Sequence, residues 1–166
     1  MKHILSVTVN NSFGVLSHVA GLFTRRGYNI DSLSVGETQD PTKSVITLVV
    51  NEDPKKMGQV IKQLYKLTDV IDVKNLTGEE SLKRELILVT VNCPRDKRHE
   101  ILNLVDVFRA QIVDMAPDAI LIEMIGIPRR VSTFLHALAE YGIKNIARTG
   151  SIALPFPSIE WEQSQG

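Results

Sequence analysis

Two stretches of this chain carry the same succession of apolar patterns, and that repetition limits the fold more than any single motif. In the first, residues 3–10 form a strand (Ile4, Leu5, Val7, Val9), and a polar turn (Asn10, Asn11, Ser12) leads to a helix opening at Gly14. Leu16, Val19, Ala20 and Phe23 follow the i, i+3, i+4, i+7 spacing of one helical face. Arg25 and Arg26, then Gly27, make a C-terminal stop. Tyr28–Val35 extends, Gln39–Thr42 turns, and the β-rich run Ser44–Val50 completes a hairpin. Asp53 as N-cap and Pro54 at the first helical position open a second helix whose apolar face is Met57, Val60, Ile61 and Leu64. Val70–Leu76 is a short strand, and Thr77-Gly78 ends the unit.

From Leu86 the order runs again. Leu86–Val91 is a strand whose Val89–Asn92 (VTVN) echoes Val7–Asn10 (VTVN), and residues 94–108 form a helix with Ile101, Leu104, Val105 and Phe108 inward. Residues 110–115 and 120–125 pair across Pro117-Asp118. A helix from Pro128 (Val131, Phe134, Leu135 and Leu138 inward) stops at Gly142, and Ile143–Ala147 closes before Thr149-Gly150. Each half is β-α-β-β-α-β, so the expected class is α+β: two ferredoxin-like units of antiparallel sheet with helices on one face. The expected division is residues 1–78, a charged linker at 79–85 (EESLKRE), and 86–166 including a Pro-rich tail from Leu154. Strand residues 46–50 are apolar at adjacent positions, so the second sheet face also needs cover, from the other unit or from an identical chain.

Composition removes several classes of function. Nineteen basic residues balance nineteen acidic ones, so no global charge draws in nucleic acid or an anionic membrane. The RNA-recognition fold shares this element order, but its stacking aromatics are missing from these aliphatic strands. Apolar runs are too short to span a bilayer. The start lacks the features of a signal peptide, and a single cysteine, Cys93, suits a reducing compartment. A cytoplasmic protein that binds neither nucleic acid nor membrane is expected. The four histidines are scattered without metal-ligand spacing, Cys93 has no identifiable base, and the pairs Glu79-Glu80 and Asp69/Asp72 fall in linkers and turns. No catalytic or metal site is expected.

What remains is the turn before the first helix. A helix start offers unpaired N–H groups and a partial positive charge, and Gly14 lets a ligand approach the backbone. No phosphate-binding fingerprint surrounds it, so a carboxylate is the expected guest. Pairing of edge strand 28–35 with its own copy across a two-fold axis would join two sheets. It would bring Asn29, Ile30 and Val35 of one chain near the turn Asn11–Leu16 of the other. Backbone N–H groups for a carboxylate, an amide for an ammonium and aliphatic walls (Leu16, Ile30, Val35) make an amino acid the natural ligand.

The stretch Ile4–Val35, with "PTKSVITLVV" and "QVIKQLYKLTDVIDVKNL", closely resembles the regulatory (small) subunits of acetolactate synthase, with an ACT domain as the N-terminal half. "FRAQIVDMAP" and "IARTGSIAL" extend the resemblance through the C-terminal half. The resemblance implies a subunit with no catalytic site and no cofactor of its own. Such a subunit forms a homodimer through its ACT domain and binds a large subunit carrying thiamine diphosphate, magnesium and FAD. It activates that partner and makes it sensitive to valine or another branched-chain amino acid. It implies an effector site of Asn11, Gly14, Val15, Leu16, Asn29, Ile30 and Val35, with Phe13 bulkier than the family's usual residue beside the turn. A stand-alone amino-acid sensor of the ACT type and an enzyme in its own right are the competing readings.

Overall fold

Alternation along one strand sets the first sheet. In β1 (Lys2–Asn10), Leu5, Val7 and Val9 share a face and are completely buried. β3 (Lys43–Asn51) lies antiparallel to it, with Leu5 opposite Leu48 and Val7 opposite Ile46. β2 (Ile30–Glu37) and β4 (Val70–Asn75) complete an antiparallel sheet in the order β2-β3-β1-β4. α1 (Val15–Arg26) and α2 (Pro54–Tyr65) cover the Leu5 face, burying Val15, Val19, Leu22 and Phe23 from the first and Met57, Val60 and Leu64 from the second. Phe23 packs edge-on against Tyr28 with ring centroids 5.8 Å apart. Leu16, expected within the α1 core stripe, is instead 42 % exposed, because the buried stripe is turned by one residue to Val15 and Leu22.

The computed structural model describes residues 1–166 and divides into two units, Met1–Leu82 with Ser151–Gly166, and Lys83–Gly150. The second unit repeats the plan. β5 (Ser81–Asn92) pairs with β7 (Ala119–Gly126) and β8 (Ile143–Arg148), and β6 (Gln111–Met115) pairs with β7. The order is β6-β7-β5-β8, as in the first sheet. α3 (Arg98–Val107) and α4 (Pro128–Ala139) bury Ile101, Val105, Val131, Phe134 and Leu138 against Ile87, Val89, Val91, Ile120 and Ile122. The two-fold ferredoxin-like architecture expected from the sequence is the one observed.

Three boundaries differ from expectation. The helix expected over 94–108 begins as a 3-10 turn, Arg95–Lys97, and becomes α-helical only at Arg98. The segment 79–85, expected as a linker, is largely strand, since β5 starts at Ser81. Charge misleads there: Glu85 is only 4 % exposed because the Arg148 guanidinium donates to its carboxylate at 2.7 Å. The tail, expected with the second unit, groups with the first. β9 (Ile152–Pro155) and α5 (Pro157–Ser164) follow Ser151, and Ala153 joins Ile4, Val49 and Leu76 in a small cluster on the sheet face away from α1 and α2. Phe156 N–H donates to the Glu80 carbonyl at 3.1 Å, and Lys74 pairs with Glu160 of α5 at 3.3 Å. The tail thus supplies part of the cover that the second face needed.

Candidate effector-binding site

The turn between β1 and α1 is built by a backbone that only glycine adopts cheaply. Gly14 is the N-cap of α1 with φ 81° and ψ 0°, in the left-handed region. No side chain caps this helix start. The Val15 N–H reaches back to the Ser12 carbonyl at 3.3 Å, and the His18 N–H to the Gly14 carbonyl at 3.0 Å. Between them the N–H groups of Leu16 and Ser17 have no intrahelical acceptor, which is the donor pair a carboxylate can use. A Cβ placed on Gly14 would come no closer than 3.9 Å, to the His18 ring.

The turn is held from behind by the β2–β3 connection. Asn11 N–H donates to the Thr42 carbonyl at 2.7 Å, and Asn11 Nδ2 donates to the Pro41 carbonyl at 3.1 Å and to Glu37 Oε1 at 3.3 Å. That connection is itself braced: Asp40 Oδ1 accepts the Thr42 hydroxyl at 2.7 Å and the Thr42 N–H at 3.0 Å. These two bonds, the hydroxyl's first, hold the Asp40 carboxyl below its ordinary value of 3.8. With its amide nitrogen committed to the turn, Asn11 has its carbonyl oxygen left to accept from a ligand.

Five of the seven expected residues line one cleft of about 500 Å³: Asn11, Gly14, Val15, Leu16 and Val35. That volume lies in the range of small-molecule sites. Its lining combines the turn with Asn11, the serines Ser17 and Ser44, and aliphatic side chains that include Val15, Leu16, Val35 and Ile46. Asn29 and Ile30 are not part of it. They stand at the other end of the edge strand, and the six steps from Asn29 to Val35 span about 20 Å of extended chain. Asn29 Nδ2 donates to Asp31 Oδ1 at 2.8 Å, and Ile30 packs partly against the core. Phe13 is fully exposed and lies outside the cleft lining, so its bulk takes no volume from it.

Sequence reading missed the floor of the cleft and one charge beside it. Ser44 and Ile46 line it from β3, and Glu37 contacts Asn11 at its rim. The signal was strand register: Val35 opposes Ile46 and Glu37 opposes Ser44, a pairing that follows once the hairpin turn is set at 38–42. No group of three or more His, Cys, Asp or Glu is placed to hold a metal ion, and no helix is long and apolar enough to cross a membrane.

Comparison with known proteins identifies the family. Residues 5–72 match the model of the AHAS small subunit-like ACT domain, and residues 84–155 match that of the small subunit of acetolactate synthase. A probable acetolactate synthase small subunit of Archaeoglobus fulgidus is 49 % identical over 154 residues, covering 93 % of this chain and 96 % of that protein. The acetolactate synthase small subunit of Bacillus subtilis is 41 % identical over 154 residues, covering 92 % and 90 %. The crystal structure of the acetolactate synthase small subunit from Thermotoga maritima superposes with a TM-score of 0.85 at 37 % identity, covering 94 % of this chain and 98 % of that one. Two successive family models, relatives matched along nearly their whole length and a shared two-unit fold together place this chain in the family of acetolactate synthase small subunits.

Proposed function

We propose that this chain is the non-catalytic regulatory subunit of a cytoplasmic acetolactate synthase. It activates a catalytic large subunit, which carries the thiamine diphosphate, magnesium and FAD, and makes that partner subject to feedback by valine or another branched-chain amino acid. The observation that carries the effector part is the uncapped, left-handed Gly14 turn opening on an aliphatic cleft. A zwitterion with a branched side chain matches that lining: carboxylate on the free N–H groups, ammonium on the Asn11 carbonyl, and methyl groups on Leu16 and Val35.

The cleft is larger than such a ligand needs, which leaves room for a second copy of the chain. Antiparallel pairing of β2 with β2 across a two-fold axis, with Ile30 of one copy opposite Val35 of the other, carries Asn29 and Ile30 into the neighbour's cleft. The site then belongs to two chains, and the effector favours the paired state by the difference in its affinity for paired and separated copies. Mixing the chain with its large subunit and assaying acetolactate formation, with and without each branched-chain amino acid, tests this reading. The expected results are no activity for this chain alone, a higher rate for the mixture, and a rate that falls on adding one of the amino acids. A rate unaffected by this chain contradicts the proposal.

A further inference from the structure

An open sheet edge invites pairing with another chain, and the first sheet has two, β2 and β4. They are finished differently. Tyr65, the last residue of α2, lays its hydroxyl against the outer edge of β4 and accepts the backbone N–H of Val73 at 3.0 Å. The hydroxyl proton is shared between Asp72 Oδ1 at 3.0 Å and the Val73 carbonyl at 3.4 Å. In an antiparallel ladder the backbone groups of alternate residues turn inward and outward. Val73 lies opposite Val7 with its N–H turned to Tyr65, so it is the outward residue at the middle of the strand. The central donor that an incoming strand would use is already taken.

The rest of β4 is obstructed as well. Lys74 is paired with Glu160 of α5, and Gln163 of the same helix donates to Glu80 at 3.2 Å, which stations the tail helix beside the end of the strand. At the other end the pairing with β1 slips between Thr8 and Val9, a bulge that breaks the regular ladder. β2 is bulged at its first residues too, but it is exposed over Val35–Glu37.

We infer that Tyr65 and the α5 tail close the β4 edge, so that first sheets of two copies join through β2 alone and the joined first sheet ends at two copies. The inference rests on the β2 pairing proposed above, and it adds the reason that the pair does not grow into a longer array. A sheet with two usable edges and a two-fold contact at each would extend without limit; one with a single usable edge closes.

The test uses the purified full chain, with amide exchange followed residue by residue by NMR and mass by light scattering over a concentration series. Tyr65→Phe is expected to speed exchange at Val73 about tenfold. Tyr65→Phe combined with Glu160→Ala is expected to give species heavier than wild type that grow with concentration. Adding Ile71→Lys, a charge on the same edge, should return that variant to the wild-type mass. Glu160→Ala alone removes only an exposed ion pair and should keep the fold intact while shifting mass in the same direction, by less. Unchanged Val73 exchange in Tyr65→Phe, or wild-type mass in the combined variant, overturns the inference. Val35→Lys examines the β2 pairing separately: if it leaves the wild-type mass unchanged, the β2 reading fails, whatever Tyr65→Phe does.

Discussion

The hydroxyl oxygen of Thr77 accepts the backbone N–H of Ile4 at 3.1 Å, tying the last turn of the first unit to the start of its first strand. The second unit repeats the device, with Thr149 accepting the N–H of Leu86 at 3.1 Å. In both the chain doubles the tie: Leu76 N–H donates to the Ile4 carbonyl at 2.8 Å, and Thr149 N–H to the Leu86 carbonyl at 3.1 Å. The Thr-Gly echo in the sequence therefore has a physical cause, since each closing strand needs a side-chain acceptor where the ladder runs out.

Thr77→Val keeps the shape and removes the acceptor. Ile4 is 8 % exposed, so its N–H would be stranded away from water. The variant is expected to lose about 1–2 kcal/mol of stability, read as a lower urea midpoint with an unchanged slope. Thr77→Ser should recover most of it.

Gly14→Asp is expected to fold, because a Cβ there meets nothing closer than 3.9 Å. The left-handed backbone adds a penalty of about 1–2 kcal/mol. The new carboxylate stands where the ligand's is proposed to sit, so valine binding should vanish by titration calorimetry while activation of the large subunit persists. Unchanged affinity would remove Gly14 from the site.

Asp40 gives a pH prediction. Its folded value lies below 3.8, so the bonds to Thr42 stabilise the hairpin turn fully above that ordinary value. That contribution is lost as pH falls through the lower, folded value. Carboxyl titration by NMR should show the depressed midpoint, and Thr42→Val should raise it toward 3.8, because the hydroxyl bond is the larger cause.

Phe23 is 1 % exposed at the centre of the first core. Phe23→Ala is expected to destabilise the first unit by about 3–5 kcal/mol. Phe134→Ala, at a fully buried position in the second, should do the same there. Hydrogen exchange resolved by unit distinguishes the two losses.

Much of this was legible in the sequence for local reasons. Gly14 and Gly27 bracket α1, Asp53 and Pro54 start α2, and alternation in β1 and β3 names the core. What escaped depends on contacts between distant segments. The charged run 79–85 looked like solvent-facing linker until Arg148, sixty-three residues on from Glu85, neutralised it. The tail gave no periodic signal because its place is set by Ala153, Phe156 and Glu160 meeting the first sheet and the segment beside it. In the site, the turn and Asn11 could be read directly, whereas Ser44, Ile46 and Glu37 required the strand register.

The central claim is that the effector pocket is shared, Gly14 from one copy and Asn29 from the other. Asn29→Ala alone should weaken valine binding by about 1–3 kcal/mol, and Gly14→Asp alone should abolish it. Unfolding and refolding the two variants together produces mixed pairs. In each, one of the two sites combines an intact Gly14 turn with an intact Asn29. Calorimetric titration of that mixture with valine should recover a class of sites with wild-type affinity that neither variant shows separately. A mixture that binds only as the sum of its two parents would contradict a pocket built by two chains.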